Sequence, residues 1–400
     1  MHRSFGSAIL AVLLVTSVSQ ADDLAFERLK LDAAFRSEGV AAADVNHDGK
    51  LDVLAGEVWY EAPDWKMHEI RKTGKYDGAT GYSNSFNNWA YDVNGDGWDD
   101  LVCICFPGAP CCWFENPQNK EGHWPRHDIW RSACNESPQF GDLTGDGKPE
   151  LILSSQPEGQ MGYLEIPAAD KVNDMWKFVA VSTEKAPGTE RFSHGLGIGD
   201  VNRDGRNDVI TPQGWWEQPA KLTGEAWSYH PLSLTAPGEP GAPSAADIYA
   251  YDLDLDGDND LIMSAAHRRG VWWFENTGSN AEPKYKTHLI EDRYTQTHAL
   301  QLVDMNGDGT KDLVTGKRFY AHGPKGDIDP QGDVVMYWYE IQRKNGTPPK
   351  ITPHKIDAGN DTGVGTQFQV IDINGDKRPD IVLSNKKGTN VLLQRAPASK

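Results

Sequence analysis

Seven copies of an acidic loop, D-x-[DNT]-x-D-G-x-x-[DE], each followed by a short apolar run, recur along this chain and leave few folds open to it. They begin at Asp44, Asp92, Asp142, Asp200, Asp252, Asp304 and Asp372, so successive starts lie 48, 50, 58, 52, 52 and 68 residues apart. A period of that length is one supersecondary unit that cannot bury its apolar face alone, and it points to the blades of an array. The runs that follow, such as LDVLAG, ELILSS and DLIMSA, are rich in β-branched residues and too short for helices. The loops therefore join strands.

Each copy places side-chain oxygens at positions 1, 3, 5 and 9, the spacing by which a tight loop wraps a hard cation. The first three sets are Asp44, Asn46, Asp48 and Asp52, then Asp92, Asn94, Asp96 and Asp100, then Asp142, Thr144, Asp146 and Glu150. Asp200, Asn202, Asp204 and Asp208 form the fourth, and Asp252, Asp254, Asp256 and Asp260 the fifth. The sixth is Asp304, Asn306, Asp308 and Asp312, and the seventh Asp372, Asn374, Asp376 and Asp380. This oxygen-only chemistry predicts Ca²⁺. An EF-hand requires glutamate at position 12, where this chain has residues such as Ala55, Cys103 and Leu153. Turn chemistry accounts for Asp, Asn and Gly in the first six positions. It leaves unexplained an acid at position 9 in all seven copies. The third copy departs at Thr144 and Glu150, and the seventh carries Lys377 where the others have glycine. A side chain there strains the turn, so the seventh loop is the one expected to lack a cation.

Arg3, the apolar stretch Ala8 to Val15 and the small-x-small pattern Ser19-Gln20-Ala21 read as a signal peptide over residues 1–21. Residues 22–400 would then be one secreted or periplasmic domain. No other apolar run is long enough to span a bilayer. The formal charge is −19, which seven divalent cations would largely offset, and it argues against nucleic acid as a partner. Five cysteines, Cys103, Cys105, Cys111, Cys112 and Cys134, fall in the second repeat and its exit. Without a C-x-x-C spacing they read as structural disulfides or buried thiols, with Cys111 and Cys112 folded back against Cys103 and Cys105.

A second motif follows each loop by about half a repeat: VWYE from Val58, CWFE from Cys112, GYLE from Gly162, GWWE from Gly214, VWWFE from Val271 and MYWYE from Met336. A third, of the form WKMHEI from Trp65 or WSYHPL from Trp227, follows in most repeats. With the apolar segment before each loop this makes four strands per repeat. Seven such units predict an all-β, seven-bladed β-propeller. The seventh repeat lacks its outermost strand, and Phe26 to Leu31, FERLKL, has the spacing to supply it and close the ring.

The loops and apolar runs resemble the FG-GAP and VCBS repeat families, calcium-loop propellers found in integrin α-chains and many exported bacterial proteins. Phe-Gly dipeptides are mostly absent here, which favours the VCBS type. That resemblance implies the fold and calcium, while functions within it range from adhesion to sugar chemistry. The W-[WFY]-E repeats are also similar to the propeller part of aldos-2-ulose dehydratases, lyases acting on oxidised sugars, although no cupin domain follows in this sequence.

With the loops at one end of the ring, the first strands begin and the second strands end at the other, roughly 20 Å away for six residues per strand. Glu38, Glu136, His194 and His298 precede their loops by six residues, and His267, Lys317 and Arg318 stand near second-strand ends. Unlike the loop acids, these residues differ from blade to blade. Neutral imidazole and carboxylate suit Zn²⁺ or Mn²⁺, so His194 and His298 with Glu38 or Glu136 are candidate ligands. Such a cation could polarise a sugar carbonyl or carboxylate while Lys317, His267 or an unligated histidine abstracts the adjacent proton, making the domain a metal-assisted carbohydrate lyase or dehydratase. The alternative is a non-catalytic module binding a carbohydrate or cell-surface ligand. His68, His127, His230 and His288 recur at one place in the outer strand and are assigned to packing beside tryptophan. Trp89 breaks the pattern and could stack on a sugar or cap its blade. Lead-in segments at 72–91, 183–193 and 235–249 and the insertion Ala321 to Asp333 would wall the channel mouth.

Overall fold

The computed structural model describes residues 24–236, 244–345, 347–357 and 362–396, so the signal-peptide reading lies outside the described residues. The described chain forms 28 strands in seven four-stranded antiparallel sheets and contains no helix long and apolar enough to cross a membrane. Six sheets are meanders in sequence order. The first comprises Ala41–Ala43, Asp52–Ala55, Val58–Glu61 and Lys66–Glu69. The seventh takes Phe368–Ile371, Asp380–Asn385 and Gly388–Arg395, and its outermost strand is the N-terminal Ala25–Asp32. Phe26 pairs with Gln394 and Leu29 with Val391, and Arg28 Nε donates to Asn390 Oδ1 at 3.0 Å. The first strands of the first and seventh sheets lie against each other, so the sheets form a ring of seven blades.

The apolar core is divided between blades. Leu54 and Trp59 of the first blade pack against Leu101, Cys103 and Phe114 of the second, and Val53 and Tyr60 pack on the other side against Val382 and Val391 of the seventh. Alternation along each strand makes this possible, because successive side chains face opposite neighbouring blades. The recurrent histidines play the part expected of them. His68, His127, His230, His288 and His354 stack on Trp59, Trp113, Trp215, Trp273 and Trp338 with ring centroids 4.3–4.6 Å apart. The Nε2 atoms of the first four also lie 2.6–2.9 Å from Glu61, Glu115, Glu217 and Glu275, the acids of the W-[WFY]-E motif. Trp89 sits in the core between the second and third blades, 5.6 Å from the Phe140 ring, so it serves packing.

The seven acidic loops share one backbone form. Position 6 has positive φ in every copy, from Gly49 at 85° to Lys377 at 68°, so the seventh loop keeps the turn despite its side chain and bears the strain expected of it. In six loops the first Asp accepts the amides of positions 5 and 6; Asp44, for example, receives Asp48 N at 3.0 Å and Gly49 N at 2.9 Å. The position-9 acid is buried and accepts two further amides. Asp52 takes Val45 N at 3.1 Å and Ala62 N at 2.8 Å, and Asp100, Asp208, Asp260, Asp312 and Asp380 repeat this at 2.7–3.1 Å. One oxygen ties down the loop and the other the end of the third strand. The invariant acid therefore has a structural reason independent of any cation, which revises the inference drawn from its recurrence.

Candidate functional site

The fifth loop is built differently from its siblings. Asp252, Asp254 and Asp256 bring carboxylate oxygens within 4.8 Å of one another, and Asp252 Oδ1 and Asp258 Oδ1 are buried without a hydrogen-bond partner. Unmet buried carboxylate oxygens in a cluster are what a hard cation satisfies, so this loop fits Ca²⁺ best. Asp142, Asp146 and Glu150 of the third loop converge as closely. Thr144 donates its hydroxyl to Glu150 Oε1 at 3.0 Å and so orients that acid. Were these loops to hold Ca²⁺, Asp254→Ala is expected to weaken binding at the fifth loop about tenfold or more and to reduce any rise in melting temperature that Ca²⁺ brings. Calorimetric titration of the chelated protein measures both. Asn374→Ala, at the same position of the seventh loop, is expected to change neither appreciably, and an equal loss there would remove the distinction between the two loops.

At the opposite end of the strands, the non-repeating residues gather. His194 Nε2 lies 3.0 Å from His267 Nε2 and 3.4 Å from Glu136 Oε2. His194, His267 and His298 each direct a ring nitrogen into a space where these atoms are within 4.8 Å of one another. His298 is buried, and neither of its ring nitrogens has a hydrogen-bond partner. Burial and the nearby Arg318 charge hold it well below the ordinary histidine range. Burial likewise lowers His267, to about 4, so both imidazoles are neutral and offer lone pairs at neutral pH. Burial works to raise Glu136, yet His194 and Arg318 hold it down at about 2, ionised. Three imidazoles and one carboxylate form a donor set suited to a divalent transition metal.

A second layer comes from the insertion that sequence analysis treated only as a wall. Asp327 Oδ1 lies 3.3 Å from His267 Nδ1 and 3.0 Å from His322 Nδ1. The His322 contact is a hydrogen bond, whereas His267 Nδ1 is buried without a hydrogen-bond partner, so Asp327 stands beside His267 as a charge. The His322 side chain is 46% exposed, and its hydrogen bond to Asp327 raises its basicity. It lines a cavity of about 320 Å³ with Tyr82, Pro324 and Lys386. On the other flank His194 opens into a cavity of about 300 Å³ with Glu190, Phe192 and Gln213. The Phe192 ring is exposed beneath Arg191, whose guanidinium lies 4.7 Å from its centroid. A larger cleft of about 670 Å³ between the first two blades surrounds Trp59 and His68, the repeat's own stacked pair, and lies away from this cluster.

Two of the expected site residues make other contacts. Glu38 is fully buried, and its Oε2 pairs with Arg318, whose Nε reaches it at 3.1 Å, while Oε1 has no hydrogen-bond partner. Lys317 Nζ donates to Thr295 Oγ1 at 2.8 Å and to the Asp329 carbonyl at 2.7 Å. Burial lowers it to about 8, but these bonds turn it from the histidines, and the exposed base beside them is His322. His322 and Asp327 were legible only as a histidine and an acid inside a segment that breaks the repeat.

Residues 92–153 and 252–315 match a family model described as an FG-GAP-like repeat. No curated protein sequence matches the chain. Among solved structures, BBS1N in its complex with ARL6DN is similar at 10% identity with a TM-score of 0.50, covering 94% of this chain and 98% of that one. An Agrocybe aegerita protein described as recognising non-reducing terminal N-acetylglucosamine gives 14% identity and a TM-score of 0.48, with coverage of 93% and 86%. The exotype rhamnogalacturonan lyase YesX gives 11% and 0.46, with coverage of 92% and 72%. At these identities the likeness concerns the fold alone.

Proposed function

Because this chain is a seven-bladed β-propeller carrying FG-GAP-like repeats, we propose that it is an exported, calcium-stabilised scaffold whose channel mouth performs metal-assisted proton abstraction on a carbohydrate-like acid, as a lyase or dehydratase does. The observation that carries this reading is His298, a buried imidazole with two unpartnered nitrogens facing His194, His267 and the ionised Glu136. A divalent ion such as Zn²⁺ or Mn²⁺, when bound by these four residues, supplies Lewis acidity toward a substrate carbonyl or carboxylate. Asp327 holds His322 through its Nδ1 atom, leaving Nε2 as the basic nitrogen. His322 Nε2 then takes the proton adjacent to that group. The released electron pair forms a carbon–carbon double bond as the β carbon–oxygen bond breaks, and the departing oxygen is protonated by water. A sugar ring suits the cavity that His322 lines, since Tyr82 offers an aromatic surface and Thr80 and Lys386 offer hydrogen-bonding groups beside it.

Metal analysis and ultraviolet detection of a new conjugated double bond, across oxidised sugars and uronic-acid oligomers, test the proposal. The His194→Ala, His298→Ala double variant is expected to lose the transition metal while keeping calcium. His322→Ala is expected to keep the metal and lose elimination by about 10²–10⁴-fold. A protein that holds calcium only and yields no unsaturated product with added Zn²⁺ or Mn²⁺ overturns the catalytic reading in favour of a binding module.

A further inference from the structure

We propose that Cys103, Cys105 and Cys112 form a buried trithiolate site for a thiophilic monovalent cation, Cu(I). Cys103 and Cys105 are two apart on the strand Asp100–Ile104 and its exit, so their side chains share one face. On the neighbouring strand Cys112 stands directly opposite Cys103 in the antiparallel register. The three sulfurs all lie within 4.8 Å of one another, at relative exposures of 0%, 6% and 0%. A metal–sulfur bond of about 2.3 Å sets the sulfurs of a trigonal site about 4 Å apart, within the reach of this cluster.

The fold also decides which cation fits. Zn²⁺ in a structural site takes four ligands, and among the described residues no histidine or carboxylate joins these three sulfurs. The Ser85 hydroxyl, with Oγ 3.4 Å from Cys103 Sγ, donates its proton to Asn88 Oδ1 at 2.8 Å. Soft thiolates alone select Cu(I), which three sulfurs satisfy. Binding requires the thiols to give up their protons to solvent, with no change in oxidation state of sulfur or copper. The expected folding-back of both Cys111 and Cys112 is realised for Cys112 alone. Cys111 faces the third blade, among Ile104, Trp113 and Leu153, and Cys134 lies beside Ser132.

Anaerobic titration of the reduced, full-length protein with Cu(I) against bicinchoninate tests the site. One equivalent of Cu(I) is expected to bind with a near-ultraviolet thiolate-to-copper absorption. That signal is expected to vanish in Cys103→Ser and Cys112→Ser and to persist in Cys111→Ser, Cys134→Ser and the His194→Ala, His298→Ala variant. Cys105→Ser, at the most accessible of the three, reports on the site should the buried variants fail to fold. Retention of the absorption in Cys105→Ser overturns the proposal. So does alkylation mass spectrometry showing that the protein as produced joins two of these three cysteines in a disulfide.

Discussion

Replacing Asp208 by asparagine is expected to destabilise the calcium-free protein by about 2–4 kcal/mol, nearly as much as replacing it by alanine. The reason is donor and acceptor count. One Asp208 oxygen accepts Val201 N at 2.8 Å and the other accepts Gln218 N at 2.9 Å, in a fully buried position. Asparagine keeps one acceptor and turns an amino group toward the remaining backbone N–H, so a buried donor is left unmet. Burial raises the Asp208 carboxyl to about 7, so the folded protein loses stability as the group ionises with rising pH; at a pH of about 8 the expected loss in Asp208→Asn is what the two backbone amides contribute beyond that burial cost. Urea unfolding in excess chelator measures the difference. If Asp208→Asn matched the parent within about 0.5 kcal/mol, the position-9 acid would be present for a cation and not for the backbone.

Arg318→Met is expected to cost about 3–5 kcal/mol, because it leaves the Glu38 carboxylate charged and unpaired in the interior. Arg318 and Glu38 are 1% and 0% exposed and stand 280 residues apart, on the sixth and first blades. The guanidinium also approaches Glu136 of the third blade at 3.9 Å, so one side chain holds together elements from three parts of the ring. The Glu38→Gln, Arg318→Met double variant removes the stranded charge and is expected to recover more than half of the loss. Denaturation of the single and double variants forms the cycle. Additive losses would show that the two groups do not depend on each other.

The blade count and strand order were legible because the repeat states them seven times, and every repeat must bury the same faces. The terminal strand was legible for a related reason: Phe26 to Leu31 carries the outer-strand spacing that the seventh repeat lacks. The position-9 acid was visible, but its partners were not, since backbone amides leave no mark in a sequence. His194, His267 and His298 could be placed at one end from strand length alone. Which carboxylate joined them depended on Arg318, which claims Glu38 and leaves Glu136 beside His194. His322 and Asp327 lie in an insertion without register, so only the folded chain brings them to His267. The cysteines show the same limit, since a short turn decided that Cys112 and not Cys111 would meet Cys103.

The strand Ala25–Asp32 hydrogen-bonds to Gly388–Arg395, with Arg28 and its side-chain partner Asn390 standing 362 positions apart, so an early segment waits for a much later one before it is paired. Until then Gly388–Arg395 has no neighbour on its outer side, and a second molecule's leading segment can take that place. Ring completion thus carries the largest loop-closure entropy in the molecule and is the step at which crowding between nascent copies would divert monomers into exchanged pairs.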